Sequence, residues 1–232
     1  MDLIKGCKEV SSEQSFYEEA DKYWKTISPT LDGMLGGYSH ISTSDVLGSR
    51  KFLREFLQGS NPRLRHKRAL DCGAGIGRVS KLFLLHIFDT VDLLEQNGEF
   101  LKQAPSYLGP ELSKKVGEYI CAGLQDVNLK PNFYDLIWVQ WVTGHLTDAH
   151  FIEFLHKCQN ALLPGGLLIL KDNISSGDVE WDKVDSSVTR THAQLRRIFK
   201  QAGMKIVKEE HQTNFPAELY KVFMFALSKE DS

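Results

Sequence analysis

The sequence predicts an α/β fold carried by a mostly parallel β-sheet, and three observations predict it. From Arg68 onward, short apolar runs alternate with helix-like stretches, the rhythm of strands joined by helical crossovers. One run, residues 69–72, passes directly into glycines and then a helix-like stretch, which sets backbone amides at a helix N-terminus to face a crevice. At the far end, residues 205–210 and 219–227 are both strand-like with no helix between them, so the sheet closes on an antiparallel pair.

The elements follow in order. Residues 13–25 are charged and aromatic, with Phe16, Ala20, Tyr23 and Trp24 at helical spacing; this predicts an amphipathic opening helix with a core-facing stripe. In residues 29–44, Gly33, Gly36 and Gly37 interrupt Leu31, Met34, Leu35 and Tyr38, the pattern of a loop carrying apolar side chains, suited to be a lid. Ser44-Asp45, ahead of Val46, Phe52, Leu53, Phe56 and Leu57, reads as the cap of a helix ending near Gly59 and Pro62. Residues 1–66 are therefore expected to be a helical extension and lid loop packed on a domain of residues 67–232. Within that domain the expected strands are 69–72, 90–94, 119–121, 136–139 and 167–170. Helix 151–162 should close at Pro164-Gly165-Gly166 and helix 191–202 at Gly203, glycine supplying the left-handed residue.

Composition narrows the function. Lys plus Arg number 28 against 30 for Asp plus Glu, so no overall field draws a phosphate backbone or an anionic membrane. No apolar run approaches the roughly 20 residues that cross a bilayer. Met1 to Val10 lacks the apolar run of a secretory signal, and the four cysteines show no CxxC spacing; an intracellular protein without a structural zinc site is expected. The cluster Arg63, Arg65, His66, Lys67 and Arg68 reads as a solvated connector, with a nuclear-import signal as the alternative.

The glycines carry the chemistry. Asp71-Cys72-Gly73-Ala74-Gly75-Ile76-Gly77-Arg78 is spaced Gly-x-Gly-x-Gly, unlike the Gly-x-Gly-x-x-Gly of dinucleotide enzymes, and Asp71 stands within the strand end. Both details favour S-adenosylmethionine, which has no pyrophosphate for converging amides to hold. Glu95 ends the second strand, beside Gln96, where a carboxylate accepts hydrogen bonds from two ribose hydroxyls. Gly123-Leu124-Gln125-Asp126 follows the third strand and suits an adenine, while the fourth brings Gln140 and Trp141 to the same rim.

The series from Asp71 to Lys171 resembles the class I methyltransferase fold, a Rossmann-like, mostly parallel seven-stranded sheet with helices on both faces. Further strings narrow the resemblance: Tyr23-Trp24-Lys25, Pro29-Thr30-Leu31-Asp32-Gly33-Met34-Leu35-Gly36-Gly37-Tyr38, Gln140-Trp141-Val142-Thr143-Gly144-His145-Leu146-Thr147-Asp148, Lys171-Asp172-Asn173 and Asp185-Ser186-Ser187-Val188. Together they resemble the protein N-terminal Xaa-Pro-Lys N-methyltransferases over nearly the whole chain, and look closest to the second vertebrate paralogue. The resemblance implies methyl transfer from S-adenosyl-L-methionine, leaving S-adenosyl-L-homocysteine, to the free α-amine of proteins beginning Xaa-Pro-Lys. It assigns Gly73, Gly75, Arg78, Glu95, Gln96, Leu124, Gln125 and Gln140 to the cofactor, with Arg78 on its carboxylate; Glu95 stands where the family has aspartate. It assigns Trp24, Leu35, Gly36, Ile41, Trp141, Asn173, Asp182, Ser187 and Tyr220 to the peptide, with Trp141 reading the proline and Asp182 the lysine. Asp185 and His145 handle the amine proton, and no metal is involved. Thr143, Asn214 and Phe215 are placed to bear on the number of methyl groups. The resemblance also implies a nuclear enzyme, found in the cytoplasm as well, a monomer or weak homo-oligomer that binds neither nucleic acid nor membrane directly. Two alternatives stay open: a small-molecule or side-chain N-methyltransferase, and a non-catalytic S-adenosylmethionine-binding partner protein. The Asp/Asn-Pro-Pro-aromatic signature of DNA amine methylation is missing at Gln140.

Overall fold

The computed structural model describes residues 12–58 and 63–229. The expectations for the chain start, for Cys7 and for a helix end at Gly59 and Pro62 lie outside the described residues. Seven strands form the main sheet: β1 (Arg68–Cys72), β2 (Thr90–Glu95), β3 (Val116–Cys121), β4 (Tyr134–Gln140), β5 (Leu162–Ile174), β8 (Met204–His211) and β9 (Lys221–Lys229). Their spatial order is β3-β2-β1-β4-β5-β9-β8. The first five pair in parallel, and β9 lies antiparallel between β5 and β8. This is the expected sheet, with the terminal antiparallel pair in place.

Strand alternation splits the core into two layers. Leu70, Cys72, Ile137, Val139, Leu168 and Leu170 face α7 (Asp148–Ala161) and α8 (His192–Gln201), which bring Phe151, Phe154, Leu195 and Phe199. Ala69, Val91, Leu93, Leu136, Trp138 and Ile169 face the other way. There they meet Phe83 and Leu84, which follow α4 (Arg78–Leu82), and Leu101 of α5 (Gly98–Leu108). Phe52, Leu53 and Phe56 of α3 (Ser42–Leu57) complete this second layer, so α3 shares the core of the sheet.

Ahead of α3 come α1 (Glu13–Thr26), capped by Ser12 through its hydroxyl on the Ser15 N–H, and the four-residue α2 (Leu31–Met34) inside the expected lid loop. The expected cap at Ser44-Asp45 is corrected: α3 begins at Ser42 with Ile41 as N-cap, and Asp45 is fully buried in the first turn. A turn of 3-10 helix, Ser39–Ile41, runs straight into α3, and Asp45 is taken by stronger partners than a backbone N–H, as set out below. The Pro-Gly-Gly ending of α7 is likewise corrected. Leu162 closes that helix in extended conformation and already starts β5, and the left-handed Gly165 (φ +82°) lies within the strand. Gly203 (φ +64°) does end α8 as expected.

One element went unforeseen, the antiparallel hairpin β6 (Glu180–Asp182) and β7 (Ser187–Thr189). A four-residue helix, α6 (Pro110–Ser113), follows α5. The basic connector is pinned in place: Arg65 to Asp135, Lys67 to Asp89, Arg68 in two hydrogen bonds to Asp92, and Arg63 to the Gly165 carbonyl. Among the described residues no helix is long and apolar enough to cross a membrane.

Candidate active site

The sheet order reverses between β1 and β4, and a crevice opens at their carboxyl ends, where open α/β sheets bind ligands. Asp71, at the end of β1, accepts hydrogen bonds from the Ser80 N–H (3.1 Å) and hydroxyl (2.7 Å), which ties the strand to α4 and shapes the glycine loop between them. Burial pushes the Asp71 carboxyl up to about 6, against the Ser80 hydrogen bonds that hold it down. Its role is to anchor the loop. Gly73 and Gly75 have φ of +66° and +56°. A Cβ on Gly73 would come within 2.7 Å of Val142, and one on Gly75 within 2.4 Å of the Met34 sulfur, so both turn and close approach demand glycine.

Glu95 Oε2 accepts from the Gly75 N–H at 2.9 Å and Oε1 from the Asn97 N–H at 2.8 Å. Burial raises its pKa, opposed by the amides of Asn97, Gly75 and Gln96. The carboxylate keeps acceptor capacity beyond these amides for a ribose hydroxyl. The Arg78 Nη1 donates to Asp45 Oδ2 at 2.7 Å, and its guanidinium carbon lies 5.5 Å from the Trp141 ring centroid. The Gln140 amide accepts from the Trp138 indole N–H at 2.9 Å and donates to Asp45 Oδ1 at 2.8 Å. All the residues assigned to the cofactor, from Gly73 and Gly75 through Arg78, Glu95, Gln96, Leu124 and Gln125 to Gln140, line one cleft.

A second cleft adjoins the first. The β6–β7 hairpin forms one wall, carrying Asp182, Asp185 and Ser187. It is held by the Ser186 hydroxyl donating to the Phe16 carbonyl (2.9 Å) and by Trp181 packing 5.5 Å from the Phe16 ring. Leu35 and Ile41 come from the lid, and Asn173 and Tyr220 from the sheet side. Gly36 is not in the lining; with φ of +55° it makes the turn after α2. Tyr220 donates to Glu180 Oε2 at 2.7 Å. Among the described residues, the cleft's acidic lining is Asp172, Asp182, Asp185 and Glu218, with no lysine or arginine.

The two clefts share Trp24, Met34, Trp141 and His145. The Trp24 indole N–H donates to His145 Nε2 at 2.9 Å. That nitrogen is therefore the acceptor of a neutral ring, and the proton sits on Nδ1. Burial lowers the His145 pKa, against the opposing pull of Asp185, the Ser186 backbone and Asp182. His145 Nε2 and Asp185 Oδ2 are 3.9 Å apart. Asp185 Oδ1, Trp141 Nε1 and His145 Nδ1 are buried with no hydrogen-bond partner among the described residues. Such orphaned groups cost about 1–3 kcal/mol each and mark places where a ligand is to bind. Trp141 also holds a left-handed backbone (φ +53°), fixed by its N–H on the Lys171 carbonyl at 3.1 Å. For a bulky residue this costs roughly 1–3 kcal/mol, and it sets the indole at the junction.

Sequence reasoning missed Met34, Asp45 and Asp172 as site residues. Met34 sits among glycines with no periodicity to mark it. Asp172 accepts hydrogen bonds from the Thr143 hydroxyl and the Asn173 N–H, and burial raises its pKa. A charged pair, Lys171-Asp172, closing a wholly apolar run was the available signal. Among the described residues, no group of three or more His, Cys, Asp or Glu side chains is placed to hold a metal ion.

Comparison with known proteins gives the family and the fold. Residues 12–228 match the family described as AdoMet dependent proline di-methyltransferase. The N-terminal Xaa-Pro-Lys N-methyltransferase 1 of Homo sapiens is 50% identical over 218 residues, covering 94% of this chain and 97% of the relative. The Danio rerio protein of the same name is 51% identical with the same coverage. A solved SAM-dependent methyltransferase from Leishmania major superposes with a TM-score of 0.85 at 41% identity, over 92% of this chain and 83% of that one. The Burkholderia thailandensis 1,6-didemethyltoxoflavin-N1-methyltransferase, solved with S-adenosylhomocysteine, shares the fold at a TM-score of 0.76 and 13% identity, over 97% and 93%.

Proposed function

Since the chain belongs to the AdoMet-dependent proline di-methyltransferase family, we propose that it methylates the free α-amine of proteins beginning Xaa-Pro-Lys, the motif in the names of its relatives. The observation that carries this reading is the junction of a cofactor cleft and an acid-lined cleft at Trp24, Met34, Trp141 and His145, with the orphaned Asp185 Oδ1 close by. A peptide start with a free amine and a lysine is cationic, and an acidic cleft without Lys or Arg attracts it. The residues of the first cleft fit S-adenosylmethionine: Glu95 for the ribose diol, Leu124 and Gln125 for the adenine, Arg78 for the carboxylate. When bound, the cofactor supplies a methyl group on a sulfonium, which is a good leaving group.

The residues of this chain supply the rest. An α-amine with a pKa near ~7.7 to 8.0 is largely protonated at neutral pH and has no lone pair with which to attack. Asp185 Oδ1 takes that proton, because it alone of the pair has a lone pair to offer; Trp24 already occupies His145 Nε2. The histidine thus holds the wall of the junction and leaves the carboxylate reactive. Trp141 offers its indole face to the proline ring, and Asp182, exposed on the hairpin, its carboxylate to the lysine.

The test is incubation with radiolabelled cofactor and peptides beginning Xaa-Pro-Lys, free or N-acetylated. Labelling of the free peptide alone is expected. Equal labelling of the blocked peptide would sink the proposal, and mass spectrometry of the product reads the methyl count.

A further inference from the structure

Behind the cofactor cleft lies a buried charge cluster. Asp45 and Lys171 are fully buried and Arg78 is 4% exposed. Asp45 Oδ1 lies 2.5 Å from Lys171 Nζ and accepts from Gln140 Nε2; Oδ2 accepts from Arg78 Nη1. Lys171 Nζ donates further to the Asp45 carbonyl (3.0 Å), the Ser49 hydroxyl (3.0 Å) and Gln212 Oε1 (2.7 Å). One carboxylate therefore holds two residues of the cofactor cleft, Arg78 and Gln140, and a lysine holds that carboxylate. All the Arg78 hydrogen bonds to described residues leave from Nη1, to Asp45 and, at 3.5 Å, to Ser42. The other Arg78 N–H groups have no acceptor among the described residues, and Arg78 lines the cofactor cleft, so an anion bound there meets them. Lone buried charges are costly, and the α-carboxylate of an adenosylated amino acid is the anion this cleft is built to receive.

We propose that Asp45 is a positioning residue for the amino-acid end of the cofactor, fixing the Arg78 guanidinium and the Gln140 amide while Lys171 fixes Asp45. Removing its charge does not simply make the site more attractive to an anion. Burial already lowers the Lys171 pKa, and Asp45 is the chief group opposing that shift. Without the aspartate, Lys171 loses that support and Arg78 and Gln140 lose the anionic acceptor that orders them. What changes is the hold on Arg78. The inference rests on S-adenosylmethionine dependence and not on the acceptor, and it is tested without any acceptor, so failure of the peptide reading leaves it standing.

The experiment is calorimetry of the Asp45→Asn protein with S-adenosylhomocysteine and with 5′-methylthioadenosine, which lacks the amino-acid end. Loss of about tenfold or more in affinity for the first, the size of one hydrogen bond to a charged group, with the second unchanged, is the expected result. In turnover, KM for S-adenosylmethionine should rise while kcat at saturating cofactor is kept. Parallel weakening of both ligands overturns the proposal, because it shows a collapsed cleft; unchanged S-adenosylhomocysteine affinity overturns it too. If Asp45→Asn does not fold, the Asp45→Asn/Lys171→Met protein, with the same buried net charge as the parent, is measured in its place. Failure of both to fold marks Asp45 as a residue of the fold alone and overturns the proposal as well.

Discussion

Asp185 and His145 lie 3.9 Å apart, yet their hydrogen bonds divide the work between them. The histidine acceptor nitrogen is filled by Trp24 and the carboxylate Oδ1 is empty, so Asp185→Asn should lower kcat by about 10² to 10⁴, the value of a positioned base. S-adenosylhomocysteine affinity, read by calorimetry, should not change; a matching loss there would remove Asp185 from the chemistry. Asp71 gives a prediction about stability. Its folded-state pKa of about 6 lies above the ordinary carboxyl value of 3.8 because burial penalises the charge. The folded state therefore binds more protons than the unfolded one between these values, and stability falls as pH rises through that window. Asp71→Asn keeps an acceptor for Ser80 and removes the charge. The difference in Tm between the Asp71→Asn protein and the parent should shift in favour of the variant from pH 4 to pH 6 and then level off. A difference independent of pH would refute the assignment. Gly73, Glu95 and Gln125 were legible in the sequence because each stands at a strand end, a place that periodicity locates. Asp45 was not, because its meaning depends on Lys171 and Arg78, which no local pattern joins to it.

At the scale of elements, the hairpin β6–β7 carries the acceptor-side carboxylates and depends on α1 for its place. Phe16, 1% exposed, packs on Trp181, and its carbonyl takes the Ser186 hydroxyl. Phe16→Ala should cost about 3–5 kcal/mol of stability, as buried Phe truncations do, and should raise KM for the peptide with cofactor affinity unchanged. Thermal melts and steady-state kinetics check both, and an unchanged peptide KM would show that the hairpin holds its place alone. The long elements could be read from periodicity, with α1, β1 and β2 within a residue at each end, while β3 begins three residues earlier than expected and β5 runs over Leu162–Ile174 where only 167–170 was expected. The hairpin could not: two three-residue strands of mixed polarity carry no repeating pattern, and their packing partner lies in the first helix. The reading of Ser44-Asp45 as a cap failed for a related reason, since a 3-10 turn leads into α3 and buried cations claim the aspartate.

For the molecule as a whole, the helical extension and the sheet share one core. Removing residues 1–66 takes Asp45 from two buried cations and strips Phe52 and Leu53, both fully buried, from the second layer. A broken buried ion pair costs about 3–5 kcal/mol and each large side chain a similar amount, a sum that reaches the roughly 5–15 kcal/mol on which a whole domain stands. The chain 67–232 should show no cooperative transition in calorimetry; a sharp melt would prove the extension dispensable. The sequence by itself determined the sheet, the glycine loop and the cofactor cleft, because strand alternation and strand-end chemistry are local and the crossover rule then fixes where the ends collect. Only the tertiary structure decided that Trp24 fills His145, that Asp185 is left with an open oxygen, and that Asp45 stands behind Arg78. Those are contacts between residues far apart in the chain, settled by burial and by the need of every buried charge for a partner.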